Sequence, residues 1–267
     1  MNIPKYTQLY RKELELKNYS ENTIKNYVSQ VDLFLKAQEK NFTEPSKINE
    51  TTIKNWLLQF NTRNSMCHSI SALKLFYKTV VKQPLKFKYI EYPRSEKKLP
   101  QVIDKNFLLD KISKIQNLKH KAIISLAFSV GLRVSEVVNL KITDIDSKRM
   151  LITVRQAKGK KDRIVPLSET MLQLFREYFK AYKPKEYLFN GQFSNQYSST
   201  SCNQIVKQYL GNEFHFHTLR HSCFTTLLES GTDLRVIQVI AGHKSSKTTE
   251  LYTHVSNHNL SRVPLPI

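Results

Sequence analysis

Three side chains suited to holding an anion fall within five residues: His217, Arg220 and His221, in "FHTLRHSCFTTLLESG" (216–231). The i, i+3, i+4 spacing puts them on one face of one helical turn. From Leu219 onward the segment is mostly apolar or small, and a plain core helix has no use for three such groups at its head. The H-x-x-x-H spacing would suit zinc. However, H-E-x-x-H is absent and Arg220 beside the pair would repel a dication, so an anion fits the set better than a metal.

Three further stretches carry the same chemistry. In "GLRVSEVVNL" (131–140), Arg133 follows a helix-ending Gly131 and precedes Ser135, read as the cap of a short helix. A guanidinium there adds to the positive end of the helix dipole, which is poor for stability and good for holding an anion. Solvation, or pairing with Glu136, accounts for it equally well. In "QAKGKKDR" (156–163), Lys158, Lys160 and Lys161 crowd around Gly159. An anion would relieve their repulsion, although Lys-rich hairpin tips commonly just face solvent. In "AGHKSSKTTELYTHV" (241–255), His243 follows a helix-stopping Gly242, and Tyr252 follows on a helix read as capped by Thr248 or Thr249. Most of the 13 tyrosines must be packing residues, so Tyr252 alone proves nothing. No G-x-x-x-x-G-K-[ST] loop occurs and no Asp/Glu cluster is spaced for Mg²⁺, so neither ATP nor metal is expected as a cofactor.

The elements that must position these groups follow from pattern. The chain has 267 residues, 40% hydrophobic, with a formal charge of +20. Residues 1–100 carry 18 Lys+Arg against 9 Asp+Glu, and the remainder 24 against 13, so basicity is spread over the whole chain. Nucleic acid is the commonest partner for such a surface. A thermophilic surface would add acids along with bases, and no basic amphipathic membrane anchor stands out. Cys67, Cys202 and Cys223 form no C-x-x-C pair, and no leader or long apolar run is seen, which implies a reducing, soluble, cytoplasmic setting.

Up to residue 83 the pattern is helical. One helix runs to about Lys17; a second, after Ser20, has Ile24, Tyr27, Val31, Phe34 and Leu35 on one face; a third starts at Asn49 or Thr51; a fourth carries Ile70, Leu73, Phe76, Tyr77 and Val80. Residues 84–100, rich in proline and lysine, read as an extended basic linker in which Lys86, Lys88 and Arg94 could lie on a phosphate backbone. Residues 101–253 read as a mainly helical domain with one β-hairpin, "RMLITVR" against "DRIVPL", whose tip holds the lysines. Ser168 caps the helix that follows, and 254–267 forms a tail.

Together these motifs resemble the tyrosine recombinase (phage integrase-like) family, most strongly its Xer-like branch. The likeness covers essentially the whole chain. "GLRVSEVVNL", "GKKDRIVPL" and "HTLRHSCFTTLLESGTDLRVIQVIAGHKSSKTTELYTHV" are specific in combination; the Leu-Gly-His element appears as Ile240-Ala241-Gly242-His243, a small departure. The resemblance implies two domains: an all-α core-binding domain (1–83), and a mainly α catalytic domain with a small antiparallel sheet, of the fold shared with type IB topoisomerases (101–253). It implies a catalytic set of Arg133, Lys158, His217, Arg220, His243 and the nucleophile Tyr252, with Glu136 orienting Arg133 or a histidine; Lys160 and Lys161 are read as further DNA contacts. His217 would accept or relay the phenol proton and Lys158 would protonate the leaving 5′ oxygen. His221 is read as a packing or helix-orienting residue. The implied partner is double-stranded DNA with inverted-repeat half-sites, bound by a homotetramer that could include a second recombinase subunit type and that passes tails between subunits. The implied location is the cytoplasm, at the nucleoid. Because the chain starts directly at the core-binding helices, a simple recombinase without an arm-binding domain is expected. The competing readings are DNA relaxation of the type IB topoisomerase kind and a non-enzymatic DNA-binding protein.

Overall fold

The computed structural model describes residues 1–94, 100–157, 161–243, 245–250 and 252–253. Backbone contacts divide the chain into two compact units, Met1–Lys97 and Lys98–Ile267.

The first unit is helical: α1 (Ile3–Leu16), α2 (Glu21–Gln38), α3 (Glu50–Leu57) and α4 (Arg63–Thr79). Each starts at a side-chain cap, Asn2, Ser20, Asn49 and Thr62, which satisfies one of the orphan amides of the first turn. Pro4 lies inside the first turn of α1, where its missing N–H costs nothing. The apolar stripes close on a core of Tyr10, Leu14, Ile24, Val31, Phe34, Leu35, Ile53, Leu73, Phe76 and Tyr77. The two buried phenols are satisfied by carbonyls, Tyr10 by Ala72 at 2.8 Å and Tyr77 by Pro45 at 3.0 Å.

The stretch read as an extended linker begins as packed structure. Pro84–Phe87 forms a 3₁₀ turn, and Phe87 and Ile90 are buried in the core of the first unit. Lys86 follows them inward: its ammonium donates to the carbonyls of Ser46 and Ile48 and lies over the Tyr77 ring. Burial lowers its pKa. Lys86, expected on a phosphate backbone, thus gives two of its donors to carbonyls of this unit. Lys88 and Arg94 are exposed.

The second unit runs α5 (Lys105–Ser113), α6 (Leu118–Val130), α7 (Val134–Asn139), β1 (Ile145–Asp146), β2 (Leu151–Ala157), β3 (Lys161–Pro166), α8 (Glu169–Tyr182), α9 (Ser199–Leu210), α10 (Phe216–Glu229), α11 (Leu234–Ala241) and α12 (Ser246–Glu250). The sheet is antiparallel in the order β1-β2-β3, with Ile152 opposite Val165 and Val154 opposite Arg163. The two-residue β1 is too short to show alternation, and sequence reading missed it. Helix α6 buries Ala122, Ile123, Ile124, Leu126, Ala127 and Val130, and packs against both α8 and α10. Each such aliphatic side chain contributes about 1.5–3 kcal/mol on burial, Ala less. Helix α10 is buried along Phe216, Leu219, Cys223, Phe224 and Leu228, which fixes the direction of its head. Residue 103 is tied to it, its N–H donating to Ser222 Oγ at 2.8 Å.

Candidate active site

Arg220 is the buried centre of the site, 1% exposed. A buried guanidinium needs acceptors for the N–H groups it turns inward. Nη1 donates to Gly131 O, and Nη2 to Ala241 O at 2.6 Å. Gly131 is the left-handed C-cap of α6 and Ala241 is the last residue of α11. The cation thus sits where two helix C-termini, the negative ends of their dipoles, converge. Phe224 presents its ring face 4.8 Å away. Burial, then the nearby Arg133, lowers this guanidinium to about 10, so it stays charged at neutral pH.

Arg133 is itself the N-cap residue of α7. Ser135, expected there, lies inside the helix. The reason is Glu136, whose carboxylate reaches back to the Arg133 N–H at 2.8 Å and to its Nη1 at 2.8 Å, the return half of a capping box. Glu136 is 6% exposed. Arg163 of β3 clamps it from the other side with two parallel bonds, at 2.7 and 2.8 Å, and gives its Nε–H to Ile240 O at 2.8 Å. Burial alone would push the Glu136 carboxyl up; hydrogen bonds and charge from Arg163, with those from Arg133, outweigh it and hold the group at about 2. Its far oxygen is 3.9 Å from Arg220. One carboxylate therefore spaces three guanidiniums. Arg133 keeps 21% of its side chain exposed, the part of this network open to a ligand.

Sequence reading passed over Arg163, but a signal was available. In "DRIVPL" it occupies the same alternation phase as the buried Val165, while Ile164 between them faces out. A charge on the inward face of a strand needs a partner.

The histidines and tyrosine close the site. His243 follows Gly242, the left-handed cap of α11. Its Nε2 is 3.1 Å from Arg220 Nη2 and its Nδ1 2.9 Å from Thr249 Oγ1. A guanidinium can only donate, so Nε2 accepts and Nδ1 carries the proton given to Thr249. Tyr252 is 3% exposed and packs with Cys223, Phe224, Leu228, Ile237 and Ala241. It lies past the end of α12, beyond the turn whose Thr249 carbonyl accepts its N–H, so neither Thr248 nor Thr249 caps a helix carrying it. Its ring is parallel to that of His243, 6.4 Å away. Burial pushes the phenol up to about 12. His221 Nδ1 is 3.1 Å from the phenol oxygen. His217, at the rim of α10, packs edge-to-face on His221 with ring centroids 4.6 Å apart. Burial, with the charges of Arg220 and Arg133, lowers its pKa. Burial lowers both His221 and His243 to about 4.

The fold thus gathers Arg133, Glu136, His217, Arg220, His243 and Tyr252 from three separated stretches. Lys158 and Lys160 lie outside the described residues, as does the tail 254–267, and of Lys161 only the backbone pairing with Ala157 is described. Among the described residues no three His, Cys, Asp or Glu side chains come together as a metal-ligand set, and no helix is long and apolar enough to cross a membrane.

Residues 101–259 match the phage integrase family, and residues 7–87 match its N-terminal SAM-like domain. The chain belongs to the phage integrase family. Similar members include tyrosine recombinase XerC of Staphylococcus epidermidis, 31% identical over 97% of this chain and 95% of that one. Tyrosine recombinase XerA of Pyrococcus horikoshii is 33% identical over 92% and 88%. The fold of this phage integrase family member matches the crystal structure of XerH site-specific recombinase bound to a palindromic difH substrate, with a TM-score of 0.72 and 22% identity over 96% of this chain and 83% of that one. The Xer-like resemblance read from the motifs is therefore correct, as is the class of fold: helices ahead of a mainly helical domain with a three-stranded antiparallel sheet.

Proposed function

We propose that this phage integrase family member is a site-specific DNA recombinase that cuts and rejoins strands through a covalent 3′-phosphotyrosine at Tyr252, exchanging strands by way of a Holliday junction. Similarity to XerC and XerA over nearly the whole chain supports the reaction class. The observation that carries the assignment of residues is the single cluster of Tyr252, His221, His243 and the buried Arg220.

In the cutting step Tyr252 Oη bonds to the scissile phosphorus and the bond from phosphorus to the 5′ oxygen breaks. That oxygen leaves with a proton from Lys158, the general acid. Charge builds on the non-bridging oxygens, and Arg133 and Arg220 answer it with charge-assisted hydrogen bonds held in place in advance by Glu136. The Arg220 Nη2–H now given to His243 passes to the phosphate. His243 can then carry its proton on Nε2 and donate as well, because the Thr249 hydroxyl serves Nδ1 as donor as readily as acceptor. The bond energy stays in the phosphotyrosine, so a free 5′-hydroxyl from another strand reverses the step without ATP. The partner is double-stranded DNA with inverted-repeat half-sites, bound by a homotetramer in the cytoplasm at the nucleoid.

The test is a nicked substrate whose cleavage traps the covalent complex. Wild type should give a protein–DNA band stable in SDS, and Tyr252→Phe should bind the same DNA and give none. A trapped band from the Phe variant would assign the nucleophile to another residue.

A further inference from the structure

We infer that His221 is a catalytic residue: it holds the Tyr252 phenol and takes its proton as the phenol attacks phosphorus. The inference rests on Tyr252 being the nucleophile.

The argument begins with the phenol. Its oxygen is buried with the Tyr252 side chain, and a buried O–H must donate to something. His221 Nδ1, at 3.1 Å, is the hydrogen-bond partner it has among the described residues. The other two histidines are placed for different tasks. His243 lies parallel to the Tyr252 ring, with Nε2 committed to Arg220 and Nδ1 to Thr249. His217, which the family resemblance favoured as acceptor, packs edge-on against the His221 ring. His221 Nδ1 is thus the ring nitrogen that meets the reacting oxygen, and His217 braces that ring.

Burial above all, with the nearby Arg220 guanidinium adding to it, disfavours protonation of His221, so the resting imidazole is neutral and its Nδ1 accepts from the phenol. A bound phosphodiester brings a negative charge into this cationic corner and raises the proton affinity of the ring when the proton must move. Arg220 and His221 are consecutive on one turn of α10. The phosphate clamp and the proton acceptor therefore ride one rigid element, which fixes the distance between the two groups that the nucleophile must serve.

The step balances. Tyr252 Oη forms its bond to phosphorus, the phosphorus–5′-oxygen bond breaks, and the phenolic proton passes to Nδ1, leaving an imidazolium. In the return step the incoming 5′-hydroxyl gives its proton back to Lys158 and displaces the phenolate, which recovers its own proton from the His221 imidazolium.

The experiment measures covalent trapping rates on the nicked substrate for His221→Ala, His221→Asn and Lys158→Ala, each with an ordinary and a 5′-bridging phosphorothiolate linkage, alongside DNA affinity. His221→Ala should bind DNA as wild type does and trap roughly 10²–10⁴-fold more slowly, the usual reach of a general base. The phosphorothiolate should rescue Lys158→Ala, whose missing proton goes to the leaving group, and should not rescue His221→Ala. Added imidazole should restore part of the His221→Ala rate, which a merely structural role would not allow. His221→Asn keeps an acceptor near Nδ1 but takes up no proton, so it should bind normally and still trap slowly; it decides the matter if the Ala variant does not fold. Wild-type or faster trapping by His221→Asn would overturn the inference and make the contact a resting lock, as would phosphorothiolate rescue of His221→Ala. Tyr252→Phe, run in parallel, separates the two levels. If it still traps, the nucleophile is wrong; if it is inactive while the His221 variants are fast, only the role of His221 fails.

Discussion

Glu136 lies among three guanidiniums, so its loss should be felt throughout the site. Its folded pKa, about 2, lies below the ordinary 4.5, so the stability it contributes is complete above about pH 4.5 and lost as pH falls toward 2. That contribution is about 3 kcal/mol. His221 and His243 act in a different window. Their folded values of about 4 lie below the usual 6.5, so the unfolded chain takes up protons first and stability falls between about pH 6.5 and 4. Urea unfolding from pH 7 to pH 2 should show both losses in wild type. Glu136→Gln should keep the histidine loss and lack the one below about pH 4.5, and should start less stable at pH 7 because Arg163 and Arg133 lose their charged partner. An unchanged acid limb in that variant would show that the carboxylate is not clamped in solution.

At the scale of elements, the site is made of helix ends. Gly131 ends α6 with φ +63, accepts from Arg220 through its carbonyl, and leaves the space where the Phe224 ring sits, 2.5 Å from a would-be Cβ. An alanine there must adopt a left-handed conformation, at about 1–2 kcal/mol, and displace a buried ring, at about 1–3 kcal/mol. Gly131→Ala should therefore lower the unfolding free energy by roughly the sum of these, seen as a lower urea midpoint, and slow covalent trapping, because the same movement tilts Arg220. If trapping is unaffected while stability falls, Arg220 is held by α11 and Glu136 without help from α6.

For the whole molecule, the question is how copies assemble on DNA. Both parts of the chain are basic, so single subunits should bind half-sites through phosphate contacts, with strong salt dependence. Assembly needs contacts between subunits. Leu260, Val263, Leu265 and Ile267 supply apolar surface in the tail, worth roughly 5 kcal/mol if buried in a neighbour, before ordering costs. Deleting Leu260 to Ile267 should leave half-site binding intact while removing cooperative binding to paired sites and cutting recombination at least about tenfold. Gel shifts on single and paired half-sites measure this, and unchanged cooperativity would move the assembly contacts to the folded units.

The sequence by itself determined the family, the class of fold and most helix starts, and it singled out six residues that the fold brings together, because caps, left-handed glycines, alternation and motif spacing are local signals that survive without coordinates. Asn49, Ser168, Gly131 and Gly242 each act within a few residues of where they stand. Tertiary structure alone decided which groups face one another. Lys86 sits in a basic stretch but turns inward, because the carbonyls of Ser46 and Ile48, about forty residues earlier, need a donor. Arg163 joins the site because β3 aims it at a carboxylate on α7. His217 and His221 share one helix face by spacing; packing of the Tyr252 ring against α10 and α11 brings the phenol to Nδ1 of the second and leaves the first edge-to-face against that ring. Hydrogen bonds between residues far apart in the chain depend on angles set by the core, and no local pattern encodes those angles.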